Sequence, residues 1–326
     1  MNVRNTAPGR GDLEKIAELA AQADDQVVKQ HTVSRALLRE FAAPANRGCG
    51  WHVQPYDLNH PERRLKTRTP RGVGRIENFV SYASASLEAL WGEVEQDLPD
   101  VFTAAKRGEA LEDPHPRRVL QDLIALHYVR SQHYREVFHR VFAETYQEQL
   151  SWLLTEGRPL LERASVERTG LHTAGPQGLQ LRADEVLGLT VGAYRNGALL
   201  RVRIEDSFAK TRQFVARMGL EILEAQESEF LIGDNPALTV RYEGNQLRYS
   251  MALGDAHSAV LPIGPRHMIA LAATDAYGRI PAALVDRMNV LQIKAARQYV
   301  YTRPHSPLAA LISEVAPQWI KEHPQP

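Results

Sequence analysis

The stretch Val119-Leu120-Gln121-Asp122-Leu123-Ile124-Ala125-Leu126-His127-Tyr128-Val129-Arg130-Ser131-Gln132-His133-Tyr134 decides how the first half of this chain folds. Its apolar residues recur every three or four positions, and the spacing continues through Val137, Phe138, Val141 and Phe142. That period belongs to a helix, not to the alternation of a strand. It predicts one long helix running through Trp152 and Leu154 to a stop at Gly157. Asp113-Pro114-His115-Pro116 separates it from an earlier helical run. There Leu87, Leu90, Trp91, Val94, Leu98, Val101 and Phe102 share a face, and Pro99 should kink or break the helix. Two apolar stripes with a short connection predict that the two helices pack on each other.

Outward from this centre the pattern changes. Residues 1–25 read as a flexible arm holding one short amphipathic helix, with Leu13, Ile16, Ala17, Leu19 and Ala20 on its apolar side. The segment at His31 reads as an extended entry into a helix from Ser34 to Phe41. Trp51 to Asp57 alternates apolar and polar, as a strand does; Asn59-His60-Pro61 marks a turn, and a hairpin partner is expected over 64–69. After Gly157, strands are expected near 199–204, 228–233, 238–242, 246–251, 258–263 and 267–271. A helix over 208–224 interrupts them, and a last helix over 282–301 precedes a tail, 306–326, that contains Trp319. The expected fold class is α+β. A mainly helical N-terminal half, to about residue 157, packs on a C-terminal mixed or antiparallel β-sheet with flanking helices, in a single domain over 26–305.

Composition narrows the function classes. The 326 residues suffice to bury a sizeable core. Lys plus Arg (39) equals Asp plus Glu (39), so no overall charge forces a nucleic-acid or membrane partner. The lone cysteine, Cys49, excludes an intramolecular disulfide, which fits a reducing cytoplasm. No stretch approaches the ~18 apolar residues of a membrane span, and the N-terminus has no apolar run of signal type. A soluble, cytoplasmic protein is the expectation. The sequence does not specify an oligomeric state.

Several residues carry chemistry. His31 opens an apolar run, where a histidine serves as general base, metal ligand or hydrogen-bonded core residue. Glu88 and Glu95 lie two turns apart on one helix face; they suit a cation, or pair with arginines. His127, Arg130 and Tyr134 follow Leu123 along the apolar stripe at steps of four, three and four. An arginine on such a stripe demands an anion, with Glu88, Glu95 and Asp234 as candidates; it is a structural ion pair or a clamp for phosphate or carboxylate. Asp234-Asn235-Pro236 ends a strand-like run, as a site or as an Asx-type turn. Cys49 stands between glycines and would need a nearby base to act as a nucleophile. Arg63, Arg64, Lys66, Arg68, Arg71 and Arg75 form a basic run, either an ordinary solvated loop or a contact for phosphates. No P-loop, dinucleotide fingerprint, paired-Cys zinc motif, HExxH or GxSxG occurs.

Taken in order, these pieces resemble the bacterial domain of unknown function 4238. Its His-x-Val-Pro opening and Leu-Arg-x-Phe ending look like His31-Thr32-Val33-Ser34 and Leu38-Arg39-Glu40-Phe41. Its Glu-Asn-Phe element looks like Glu77-Asn78-Phe79, its helix with two glutamates like the helix of Glu88 and Glu95, and its aromatic-x-Arg-Ser like Tyr128-Val129-Arg130-Ser131. Its Asp-Asn-Pro and Pro-x-x-Pro match Asp234-Asn235-Pro236 and Pro262-Ile263-Gly264-Pro265, and Asn289 stands on the last helix. Ser34 and Gly233 depart from the usual proline and serine. The resemblance spans about residues 29 to 301 and implies no established activity. It does imply that His31, Arg39, Glu95, Arg130 and Asp234 form one constellation.

Two functions fit. One is a hydrolase of a phosphate-containing substrate, such as a nuclease in a toxin or anti-phage role. His31, Glu95 and Asp234 are then catalytic, and Arg39, Arg130, His127 and Asn235 bind substrate; a divalent metal is compatible, and a nucleic acid or nucleotide is the partner. The other is a non-catalytic binding protein whose His/Arg/Glu/Asp set is a structural polar network. Convergence of the side chains on an open pocket discriminates between them.

Overall fold

The computed structural model describes residues 10–45, 50–172, 175–244 and 246–323. Cys49 and the first nine residues of the arm lie outside them. The short helix α1 (Arg10–Leu19) is followed by β1 (Lys29–His31) and α2 (Arg35–Glu40), so the extended entry at His31 and the helix after Ser34 both form. β2 (Ala43–Pro44) pairs with β3 (Trp51–His52), and β4 (Gln54–Asp57) continues the chain. The expected hairpin over 64–69 does not form. Only Val53 bridges Arg68 there, and β5 (Arg75–Glu77) pairs with β1.

The helical core follows. Pro99 sits in the first turn of its helix, so the early run is split into α3 (Ser84–Glu95) and α4 (Leu98–Lys106). The long helix is also split, into α5 (Pro114–Val129) and α6 (Gln132–Leu154). No glycine or proline marks that break. Ser131 makes it: its Oγ accepts from the Tyr134 N–H (3.1 Å) and caps α6, while Arg130 ends α5 with its N–H on the Leu126 carbonyl. Leu87, Trp91 and Val94 of α3 share a core with Leu120, Leu123 and Ile124 of α5, the packing expected from the stripes.

Helices then run well past the expected boundary at 157. α7 (Arg158–Thr169), α8 (Gly175–Arg195) and α9 (Ala198–Val215) occupy the region where a strand over 199–204 was expected. In that segment Leu199, Leu200, Val202 and Ile204 are all buried, so its apolar run comes from burial against α5, not from strand alternation. The ends of α6, α7 and α8 enclose a small core of their own, formed by Leu153, Leu161, Leu179, Ala183 and Leu187.

The sheet comes last. β6 (Gly219–Ala225) replaces the end of the expected 208–224 helix, and β7 (Ile232–Gly233), β8 (Leu238–Glu243), β9 (Gln246–Tyr249), β10 (Ser258–Gly264) and β11 (His267–Ala272) fall close to their expected places. β12 (Ala276–Ile280) was not expected, and it joins β6 in parallel. The six-stranded order is β12-β6-β11-β10-β8-β9, otherwise antiparallel, so the sheet is mixed. α10 (Ala282–Ala295) ends before β13 (Tyr299–Thr302), which sits between β4 and β7 in a separate three-stranded sheet. The tail forms α11 (Ala309–Glu322), and its Trp319 is buried with Nε1 on the Ala296 carbonyl (2.8 Å). The α+β class stands, with helices first and a mixed sheet after them. Among the described residues no helix is long and apolar enough to cross a membrane.

Candidate functional site

Arg130 is the centre of the most unusual group of side chains. The break between α5 and α6 turns it inward onto the face of α3. Its side chain is 2% exposed, with Nη1 2.7 Å from Glu95 Oε1 and Nη2 3.8 Å from Glu88 Oε2. The guanidinium carbon lies 4.4 Å from the centre of the Trp91 ring. Glu88, Trp91 and Glu95 occupy positions i, i+3 and i+7 of α3, so one helix face supplies both carboxylates and the aromatic platform. The two glutamates are about a quarter exposed, 26% and 25%, so the group touches solvent on its acidic side. Burial raises Glu88 above the usual carboxylate range; Arg130 opposes that and Glu95 adds to it.

Two histidines flank this group. His127, one turn before Arg130 on α5, is fully buried. Its Nε2 accepts from the Ser34 N–H (3.1 Å) and its Nδ1 faces the Leu123 carbonyl at 3.1 Å. This pattern fits one neutral tautomer, in which Nδ1 donates. Burial, and then the charge of Arg130, hold His127 down to about 4. His31 ends β1 opposite Arg75. It is also lowered to about 4, by burial first and Arg130 second, and its ring bonds the Arg71 backbone. Its Nε2 is buried without a partner, as are Glu88 Oε1, Arg130 Nε, Trp91 Nε1 and Ser34 Oγ.

Asp234 does a different job. Its Oδ1 accepts from Arg297 N (2.7 Å), and its Oδ2 from Gln298 N and Tyr299 N (2.9 Å each). The carboxylate is 4% exposed and closes the turn between α10 and β13. Burial raises it, against those three bonds. Asn235 is buried and donates to the Ala295 carbonyl (3.2 Å). What holds this loop was barely legible beforehand. Asn289 and Gln292, one turn apart on α10, accept from Leu231 N and Gly233 N (2.9 and 3.0 Å) and donate to the Glu229 and Pro236 carbonyls. A polar pair three residues apart in an apolar helix was the only available signal. Tyr134, on the same stripe as Arg130, is spent on Ser207 (2.6 Å) and the Arg203 carbonyl (3.2 Å).

The expected constellation is therefore divided. His31, His127, Arg130, Glu88 and Glu95 gather at the α3–α5 face. Asp234 and Asn235 brace the α10–β13 turn, and exposed Arg39 stacks over Trp51 at the β2–β3 hairpin, 3.8 Å from the ring centre. A chain of bonds connects the two buried groups. Tyr301 of β13 accepts from Gly74 N (3.2 Å), and the Gly74 carbonyl accepts from Thr32 N and Val33 N (2.9 and 3.1 Å), next to His31. Gly74 has φ +63°, and a Cβ there would come 2.8 Å from Leu38 Cδ1, so only glycine fits the junction. Among the described residues no group of three or more His, Cys, Asp or Glu stands together so as to hold a metal ion.

A second feature lies on the surface. A cleft of about 360 Å³ is lined by His52, Gln54, Arg64, Thr67, Pro304 and His305, with the strand end of β2. None of its lining residues is acidic. Arg64 belongs to the basic run, and its neighbours Arg63, Lys66 and Arg68 are all exposed. His52 Nδ1 is buried without a partner.

A model of the family described as "Protein of unknown function (DUF4238)" matches residues 29–306. The chain belongs to this family. The DUF4238 match covers the His31 segment, the Arg130 group, the Asp234 turn and the cleft, so both buried groups lie within the family's extent. Neither a curated protein nor a solved structure matches the chain.

Proposed function

We propose that this DUF4238 protein is a non-catalytic binding protein. Its buried His/Arg/Glu/Asp set is a structural polar network, and its ligand is a phosphate-bearing molecule, a nucleotide or nucleic acid, taken at the basic cleft. The carrying observation is that His127, Asp234 and the Arg130 guanidinium are already engaged by groups of the chain. Both nitrogens of His127 face backbone groups, both oxygens of Asp234 accept backbone N–H groups, and Arg130 faces two carboxylates. One cation against two carboxylates repels a phosphate, so Arg130 is a poor phosphate clamp. The cleft has the opposite balance, with Arg64 and two histidines and no acid, and its volume falls within the ~300–1,000 Å³ of small-molecule sites.

Titration calorimetry with inorganic phosphate, a mononucleotide and a short single-stranded RNA tests the reading. Binding should weaken with added salt and be lost in Arg64→Gln, while Arg130 variants alter melting only. Failure of all three probes to bind would refute the cleft. One observation favours the hydrolase instead. Buried atoms without a partner occur on His31, Glu88, Arg130 and Trp91, side chains of one group around Arg130, as they would where a substrate or water is held. Turnover of any phosphate ester that His31→Ala abolishes without changing the melting temperature would establish that reading and overturn the non-catalytic one.

A further inference from the structure

A run of free positive charge starts in the wall of the basic cleft and continues well beyond it. Residues 63–75 hold the cations Arg63, Arg64, Lys66, Arg68, Arg71 and Arg75 and no acid, in a chain whose acids and bases are equal in number. All of them are exposed, and among the described residues none forms an ion pair. The acids that flank the run, Glu62 and Glu77, face His60 and Lys29 instead (3.9 and 3.8 Å).

The backbone beneath these cations is fixed, although it forms no strand until β5. The Leu65 carbonyl accepts from Gln54 Nε2 (2.9 Å). Arg68 exchanges both backbone bonds with Val53, its N–H donating at 3.0 Å and its carbonyl accepting at 2.8 Å. Gly72 N closes a turn on the Thr69 carbonyl (2.8 Å), and Arg75 pairs with His31 across β5 and β1. A ledge held in this way loses little backbone freedom when a ligand settles on it. Its course is also defined. Arg64 and Thr67 line the cleft, Arg68 bridges the residue between His52 and Gln54 of the lining, and Arg71 and Arg75 lie beyond, beside His31.

Length and shape then say what lies on it. Fully extended, the backbone from Arg64 to Arg75 spans at most about 36–40 Å, and the turn at Thr69 shortens it. A mononucleotide does not reach that far, but a strand of several nucleotides does, as in single-stranded sites of ~4–16 nucleotides. A cleft of about 360 Å³ encloses one unpaired nucleotide, not a duplex. Pro44 of the cleft wall pairs with Trp51, whose ring is 39% exposed and carries the Arg39 guanidinium at 3.8 Å. Aromatic and guanidinium planes are surfaces on which unpaired bases stack.

We infer that the ligand of the basic cleft is a single-stranded nucleic acid several nucleotides long. One nucleotide enters the cleft, and the phosphates beyond it follow Arg68, Arg71 and Arg75. The inference rests on the cleft being the ligand site, as proposed above, and names the ligand. Fluorescence anisotropy on the full-length protein tests it with labelled single strands of about ten nucleotides, RNA and DNA, a duplex of the same sequence, and a mononucleotide as competitor. Either single strand should bind about tenfold tighter than the mononucleotide or better, and the pair of strands tells RNA from DNA as the source. With four phosphate contacts, log Kd should rise against log salt with a slope of about 3. The double variant Arg71→Gln/Arg75→Gln, whose exposed side chains leave the fold intact by circular dichroism, should weaken the strand about tenfold or more. It should also lower the slope by roughly 1.4 and leave the mononucleotide unchanged. Arg64→Gln should weaken both ligands. A mononucleotide that binds as tightly as the strands, a strand indifferent to the double variant, or a duplex that binds as tightly as its single strands would overturn the inference and leave the cleft standing. Loss of all binding, mononucleotide included, would remove the cleft itself.

Discussion

Replacing Arg130 by methionine removes the charge and keeps most of the volume. The guanidinium is 2% exposed, bonded to Glu95 at 2.7 Å, near Glu88 and stacked on Trp91. Its loss leaves two carboxylates on one helix face with no cation between them. Breaking a buried pair from one side costs about 3–5 kcal/mol. Glu88 and Glu95 are each about a quarter exposed, so water recovers part of that cost and about 3 kcal/mol is expected. In a chain of this length that lowers the melting temperature by roughly 4–5 °C. Urea titration and calorimetry at pH 7 measure it. Adding Glu88→Gln and Glu95→Gln to Arg130→Met should recover most of the loss, because no unpaired charge then remains. A single variant that melts with the parent, or a triple variant no better than the single, would refute the view of Arg130 as a buried charge held by these two acids.

Three further outcomes follow from the same geometry. His127 is held at about 4 in the folded state against 6.5 ordinarily, so the unfolded chain takes its proton first as pH falls. Its contribution, on the order of 3 kcal/mol, is complete above pH 6.5 and is lost toward pH 4; His127→Gln should flatten the melting profile across that window. Burial raises Glu88 above 4.5, so the folded state keeps its proton longer and stability falls as pH rises through that region. Glu88→Gln should therefore melt no lower than the parent at pH 7, with any advantage gone below pH 4. Asp234→Ala strips three backbone N–H groups of their acceptor and should cost about 3–5 kcal/mol in denaturant titrations; a fold of unchanged stability would return Asp234 to the list of free functional groups.

The sequence fits the site unevenly, for local reasons. Arg130 on an apolar stripe had to meet an anion, because a lone buried charge is too costly, and of the three acids that argument named, Glu88 and Glu95 meet it and Asp234 does not. It could not show that His127 is consumed by Ser34, 93 residues away, or that Asp234 serves backbone groups more than sixty residues downstream. Trp91 read as a core residue, and only the packing of α3 on α5 shows that it is also a platform for a cation.

Short-range physics settled the period of α3 to α6 and of α10, the break at Pro99, the extended entry at His31 and the positions of β7 to β11. These depend on neighbours within one or two turns, which the sequence displays. Whether an apolar run becomes a strand or a buried helix was not local. Leu199, Leu200, Val202 and Ile204 are all buried because α9 is covered by other helices, and periodicity cannot separate that from a buried strand. The same holds for β13, which the end of a helix was expected to occupy. It is a strand because β4 and β7, far off in sequence, offer their edges to it, and Asp234 pins the turn that delivers it there.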